Sequence, residues 1–168
     1  MERLDTENGL FKFQYLLDYA KFLVSEKLDE FTTVGIRFCR ELDLPMMKPL
    51  NKIPEKELVQ LSLQSNKEIL TALSENNIEP IIGKNISNYI NNQIVDNNGN
   101  RLLNHTEIAV EDIILGFYIR RKLFSFFLYA YTKNAVMHML IAAEVDHYST
   151  QEHLLTTRAY LEATTQKD

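Results

Sequence analysis

Tryptophan is absent from this sequence, and cysteine occurs once, at Cys39. A single thiol cannot build an internal disulfide framework, so nothing covalent staples the chain and a reducing compartment suits it. Cys39 lies amid Ile36, Phe38 and Leu42, where it reads as a small buried hydrophobe. Turn formers are also few: five glycines and four prolines, three of the prolines falling between Pro45 and Pro54. A multi-stranded protein needs more turn chemistry than that, so the composition predicts an all-α fold. There is no basic excess either, the formal net charge being -5. Affinity for phosphate backbones comes from clustered Lys and Arg, so nucleic acid is not an expected partner.

Targeting and catalytic signatures are missing as well. Met1-Glu2-Arg3-Leu4-Asp5 is charged and lacks the apolar region of a signal peptide. The most apolar run, Leu115 to Tyr131, carries Arg120, Arg121 and Lys122 in its middle, which would be costly at the centre of a bilayer. No membrane span is expected, and a cytoplasmic location follows. The sequence contains no Gly-x-Ser-x-Gly elbow, phosphate-cradling Gly-rich loop or His-Glu-x-x-His zinc motif. Asp146 and His147 are adjacent, and neighbours on a helix point about 100° apart, so adjacency does not make them an acid–base pair. A protein that is not an enzyme is expected.

What is present is apolar periodicity. With 168 residues, 45% of them apolar, the chain can bury a good core as one domain spanning residues 1–168. From Leu10 to Leu42 the apolar positions predict one helix or two, ending before Pro45. Pro54, followed by Glu55 and Glu57, starts a helix that runs to about Asn76. A shorter helix follows Pro80, its β-branched content leaving a strand as the alternative. Asp96-Asn97-Asn98-Gly99-Asn100 is a strong turn signal that even suits a hairpin. The flank Asn100-Arg101-Leu102-Leu103-Asn104 alternates weakly, so a loop between helices is predicted.

Two long helices dominate the remainder, joined near Tyr131-Thr132-Lys133-Asn134. Thr106 and the acidic pair Glu111 and Asp112 mark the start of the first. Ile113, Phe117, Phe124 and Leu128 form its core stripe, with Ile114, Phe127 and Tyr131 widening that face, at the spacing of a helix buried against others. The second, about residues 134–165, begins apolar and becomes a polar rod. It reaches Gln166-Lys167-Asp168 without a Gly or Pro stop and so reads as cut rather than finished. The count is about six helices, the last two longest.

Among residues that could carry chemistry, Glu144 and His147 form one Glu-x-x-His pair. A di-metal site needs a second such pair from another helix, and none is present. His138, beside Val136, Met139 and Leu140, is the residue that would ligate haem if the fold held it. His105, His147 and His153 have polar surroundings and read as surface side chains. Arg120, Arg121 and Lys122 are the one tight basic cluster. Their heads should reach the bundle edge, with Arg120 or Arg121 paired to an acidic residue; the alternative is an Arg facing a cavity that binds an acidic ligand. Phe117, Tyr118, Phe124, Phe126, Phe127, Tyr129 and Tyr131 surround the cluster on all sides of the helix. One core-facing stripe cannot take all of them, so some must face a second helix layer or a second subunit, and a dimer is expected. The expected interface residues are Phe117, Phe124, Leu128, Leu140, Tyr148 and Leu155.

The stretches IAVEDIILGFYIRRKLFSFFLYAY and AAEVDHYSTQEHLLTTRAYLE resemble the penultimate and final helices of non-haem globin sensor domains. These are the amino-terminal domains of stressosome co-antagonists and related input domains of bacterial histidine kinases. The resemblance implies a globin-like fold, usually without haem, that dimerises through its terminal helices. It implies an output passed to a PAS, kinase or STAS module in cis, or to a signalling protein in trans. The sequence departs from that pattern in holding no such module. The alternatives are a haem- or small-molecule-binding globin using His138, and a plain helical adaptor for another protein.

Overall fold

A computed structural model describes residues 12–42, 44, 47–91, 94–95, 101–103 and 109–165. The first apolar stripe becomes α1 (Leu16–Phe22), a π-helical turn (Leu23–Lys27) and α2 (Leu28–Glu41) in one uninterrupted rod. Leu16, Tyr19, Ala20 and Leu23 are fully buried on its near half, and Phe31, Thr32, Ile36 and Phe38 on its far half. A π turn places an extra residue in one helical turn and re-phases the buried face. That is why the pattern read alternately as one helix and as two. A single turn, α3 (Met47–Leu50), occupies the connector.

Pro54 is the N-cap of α4 (Glu55–Ser74), its carbonyl accepting from the N–H groups of Glu57 and Leu58, both at 3.0 Å. Glu55 and Glu57 sit in the first turn, where a carboxylate favours the helix dipole. At the other end Asn76 adopts φ 54°, a left-handed conformation that Asn tolerates better than most residues. The Asn77 N–H then reaches the Ala72 carbonyl at 2.8 Å and the Asn76 N–H that of Leu73 at 3.1 Å, closing a Schellman cap. The segment after Pro80 is helical, as α5 (Glu79–Asn91).

One expectation is overturned. Instead of a plain loop between helices, β1 (Ile94–Val95) and β2 (Arg101–Leu103) pair antiparallel, Ile94 with Leu103 and Val95 with Arg101, with a register irregularity between. The ladder is made of backbone groups and spans only two rungs, so the weak side-chain alternation of the flank did not forbid it. The turn itself lies outside the described residues, as do Thr106, His105 and the segment Gln166-Lys167-Asp168.

The long pair is α6 (Val110–Tyr131) and α7 (Ala135–Thr165). The Asp112 carboxylate accepts from the Ala109 N–H at 2.7 Å to fix the start of α6. Asn134 accepts from Val136 and Met137 N–H groups at 2.9 and 3.2 Å to fix that of α7. The fold is therefore all-α apart from the hairpin. Counting α1, the π turn and α2 as one rod, the described residues form five helices of two turns or more plus α3, where about six were predicted. At 31 residues, α7 is roughly 46 Å long.

The core lies where the α1–α2 rod, α4 and α6 meet. Phe31 stands edge-on to Phe124 at 5.5 Å between centroids, and the Tyr19 hydroxyl donates to the Phe124 carbonyl. Burial raises the Tyr19 hydroxyl pKa, keeping it a donor. The α1 start is held by α7: Glu144 Oε1 accepts from the Gln14 N–H at 3.0 Å, and Oε2 from those of Tyr15 and Leu16 at 2.8 and 2.7 Å. Three charge-assisted bonds satisfy amides that a helix start leaves open. Glu144→Ala should lower unfolding free energy by about 2 kcal/mol, and Glu144→Gln by less, measured by urea denaturation with helicity unchanged at zero denaturant.

Candidate functional site at the seam of α6 and α7

Three consecutive basic residues on a helix fan out about 100° apart, and on α6 each finds a different partner. Arg120 Nη1 donates to the Glu152 carboxylate and, at 3.2 Å, to the Tyr148 hydroxyl, both on α7. Arg121 Nη2 donates to Thr150 Oγ1. Asp146 Oδ1 lies 3.2 Å from Arg121 Nε, close enough for charge attraction although the Nε–H is not aligned on it. Lys122 turns the other way, its Nζ 4.0 Å from the Phe38 ring centroid and 3.9 Å from Glu41 Oε2 on α2. Two arginines thus lock α6 to α7, while the lysine braces α6 against α2.

The Arg120 lock is the buried one. Glu152 is 2% exposed and Tyr148 is completely enclosed, and the guanidinium sits within 6 Å of the Phe117 and Tyr148 rings, at 5.4 and 5.8 Å. Burial drives the Tyr148 hydroxyl pKa well above its usual range, with Glu152 adding to the rise and the Arg120 charge opposing it. Tyr148 therefore stays protonated. Around the lock, α7 turns Ser149 and Thr156 into the interior. Ser149 Oγ and Thr157 Oγ1 are buried with no hydrogen-bond partner among the described residues, so this seam is less fully satisfied than an ordinary core.

Beside the lock, α2, α4 and α6 line a half-open cavity of about 200 Å³. Phe31, Leu70, Leu123 and Phe124 are among its apolar walls, and Thr32, Cys39, Ser62, Asn66 and Arg120 supply its polar edge. Asn66 Nδ2 donates to the fully buried Thr32 Oγ1 at 3.1 Å. The Cys39 thiol is pushed up to about 11 by burial. Arg120 is thus paired to an acid of its own chain, as expected, and is also among the residues that border the cavity. Arg121 lines neither of the two cavities described.

The expected interface set divides differently from the prediction. Phe117, Phe124, Leu128 and Tyr148 are buried within this chain's own core, and Leu140 and Leu155 are half-buried. On α6 the stripe of Ile113, Phe117, Phe124, Phe127 and Leu128 is buried but Ile114 is exposed. On α7 the buried row is Ile141, Val145, Tyr148 and Glu152, while the expected Val136 and Met139 are exposed; the buried faces pack within this chain. The outward aromatics are Tyr118, Phe126 and Tyr129. His138 Nε2 donates to the Thr132 carbonyl at 2.6 Å, its ring standing 6.2 Å from that of the exposed Tyr129. Neither described cavity reaches His138, so its geometry does not favour an axial ligand. Glu144 is committed to the start of α1, and no group of three or more His, Cys, Asp or Glu able to hold a metal occurs among the described residues. No helix among them is long and apolar enough to cross a membrane.

Sequence reading missed Glu152. Its signal was available: Ile141, Val145, Tyr148 and Glu152 recur at four, three and four, so the core row of α7 carries a carboxylate that needs a cation. Asn66 and Ser62 were not singled out in the sequence, and no local pattern marks them as cavity residues. Comparison with protein-family models, curated proteins and solved structures found no match.

Two outcomes follow. Removing one member of a nearly buried pair strands the other, so Arg120→Ala should cost about 3 kcal/mol of stability, while Arg120→Met with Glu152→Met should cost less than the two single changes summed; denaturation of the four proteins measures both. A thiol held at about 11 in the fold, against about 8.5 when unfolded, is protonated longer in the native state. That contribution to stability is complete below the unfolded value and is lost as pH climbs toward 11. At pH 8, Cys39 should react with a small alkylating reagent about a hundredfold more slowly than in the urea-unfolded chain, read by mass spectrometry.

Proposed function

We propose that this chain is a non-enzymatic sensory and dimerisation domain of a bacterial signalling protein, globin-like in arrangement. Its outer α6 and α7 surfaces pair with a second copy. The observation that carries this reading is the placement of the exposed large apolar side chains. Ile114, Tyr118, Phe126 and Tyr129 lie on α6, and Val136, Met139, Leu154 and Leu161 on α7, with none elsewhere among the residues whose side chains are described. Tyr129 and Met139, on either side of the α6–α7 turn, are 65% and 73% exposed. Scattered exposed hydrophobics are ordinary on a monomer, but eight confined to two adjacent helices are the mark of a face that packs. Two antiparallel helices offered side by side are half of a four-helix bundle, and a second copy supplies the other half at normal helix spacing.

The signal in this reading is a change in how α7 sits on α6. Arg120 and Arg121 set the present register through discrete partners one or two turns apart on α7, and the unsatisfied Ser149 and Thr157 hydroxyls lower the cost of an alternative one. A shifted α7 would transmit that change to a PAS, kinase or STAS module, or to a partner protein. Sedimentation equilibrium should give a dimer at micromolar concentration. Tyr129→Glu and Met139→Glu, both at exposed positions, should weaken dimerisation at least tenfold without altering helicity. A wild-type protein that stays monomeric at millimolar concentration overturns the reading.

A further inference from the structure

We propose that the cavity between α2, α4 and α6 is a binding site for a small neutral molecule of the phenol class, one ring bearing one hydroxyl. Its volume, about 200 Å³, exceeds the roughly 150 Å³ that holds benzene in an apolar protein cavity, leaving room for a ring and a substituent but not for a nucleotide or a haem. The aromatic walls Phe31 and Phe124 and the aliphatic Leu70 and Leu123 favour the ring.

The polar groups of the cavity select the substituent. Because Asn66 Nδ2 is spent on Thr32 Oγ1, the amide is held in one orientation, and its Oδ1 remains as an acceptor. Ser62, one turn earlier on α4, has a hydroxyl with no hydrogen bond among the described residues and also lines the cavity. An acceptor beside a hydroxyl fits an incoming O–H donor. An anion is less suited: the one cation at the edge, Arg120, already faces Glu152.

Gly116 supplies the independent observation. It lines the cavity from within α6, where a Cβ would meet nothing within 4 Å. Gly35, across the cavity, is a different case, since a Cβ there would come within 3.1 Å of Leu123 Cδ2. Packing explains Gly35 and not Gly116, and a glycine in a helix interior costs about 1 kcal/mol relative to alanine. The site deepens the sensory reading by naming what is sensed; it rests on that reading only for the consequence at α7, because the edge residue Arg120 is also the lock.

The test titrates the full chain with p-cresol, toluene and benzoate, by calorimetry and by amide chemical shifts. Expected is saturable one-site binding of p-cresol at least tenfold tighter than benzoate, with shifts centred on Ile36, Leu70 and Ile119. Asn66→Ala should reduce p-cresol affinity to that of toluene while leaving toluene unchanged. Gly116→Ala should raise the Tm and weaken both ring compounds, and Gly116→Leu should abolish their binding. If Gly116→Leu fails to fold, Gly116→Ala and Asn66→Ala carry the test. Absence of saturable p-cresol binding, tighter binding of benzoate, or wild-type affinity in Gly116→Ala and Asn66→Ala overturns the site. Binding by a protein that is monomeric keeps the site and removes the sensory dimer; a dimer that binds no p-cresol removes the site alone.

Discussion

A nearly buried carboxylate needs a cationic partner, and the pairing of Glu152 with Arg120 is the constraint on which the arrangement of the long helices depends. Apolar stripes would hold α6 against α7 at several registers of similar energy. A directional pair, supported by the Tyr148 hydroxyl and by Arg121 on Thr150, selects one. Arg120 is also among the residues lining the cavity between α2, α4 and α6. One residue therefore borders both the helix seam and the half-open pocket beside it.

Around that pair the molecule divides its hydrophobic surface in two. Phe117, Phe124, Phe127 and Leu128 turn inward from α6 and complete the core, while Ile114, Tyr118, Phe126 and Tyr129 turn outward. α7 is divided likewise, Ile141, Val145 and Tyr148 facing in and Val136, Met139 and Leu154 facing out. This division accounts for the near absence of amphipathic contrast along both helices: each has two apolar faces, one used by the chain itself and one exposed. The α1–α2 rod has a single apolar side, and its start is fastened to α7 by Glu144, so the amino-terminal and carboxy-terminal parts of the fold share one anchor.

Much of the fold was legible along the chain. The joint at Tyr131-Thr132-Lys133-Asn134, the Pro54 start, the Asn76 stop and the helical character of the segment after Pro80 all rest on interactions among residues within a few positions of one another. The hairpin was the local exception, because a two-rung ladder is decided by backbone pairing and turn chemistry, and its flank has too few side chains to announce it. The candidate site was legible in part. That Arg120 would pair with an acid followed from its place in an apolar helix, whereas the identity of the acid, 32 residues away, did not.

By itself the sequence determined the largely helical class, the approximate boundaries of the long helices, most of the buried row of α6, and the presence of more aromatic surface on α6 than one core face can absorb. Each of these is a short-range or compositional property, fixed by the 3.6-residue period, by capping side chains and by the shortage of turn formers. Only the tertiary structure decided which apolar residues the chain keeps for its own core and which it leaves outside. It alone placed Asn66, Ser62, Gly116 and Arg120 around one cavity, and it alone joined Glu144 to the start of α1. Those facts depend on how helices distant in sequence cross, and a periodic pattern carries the direction in which a face points but not what stands opposite it.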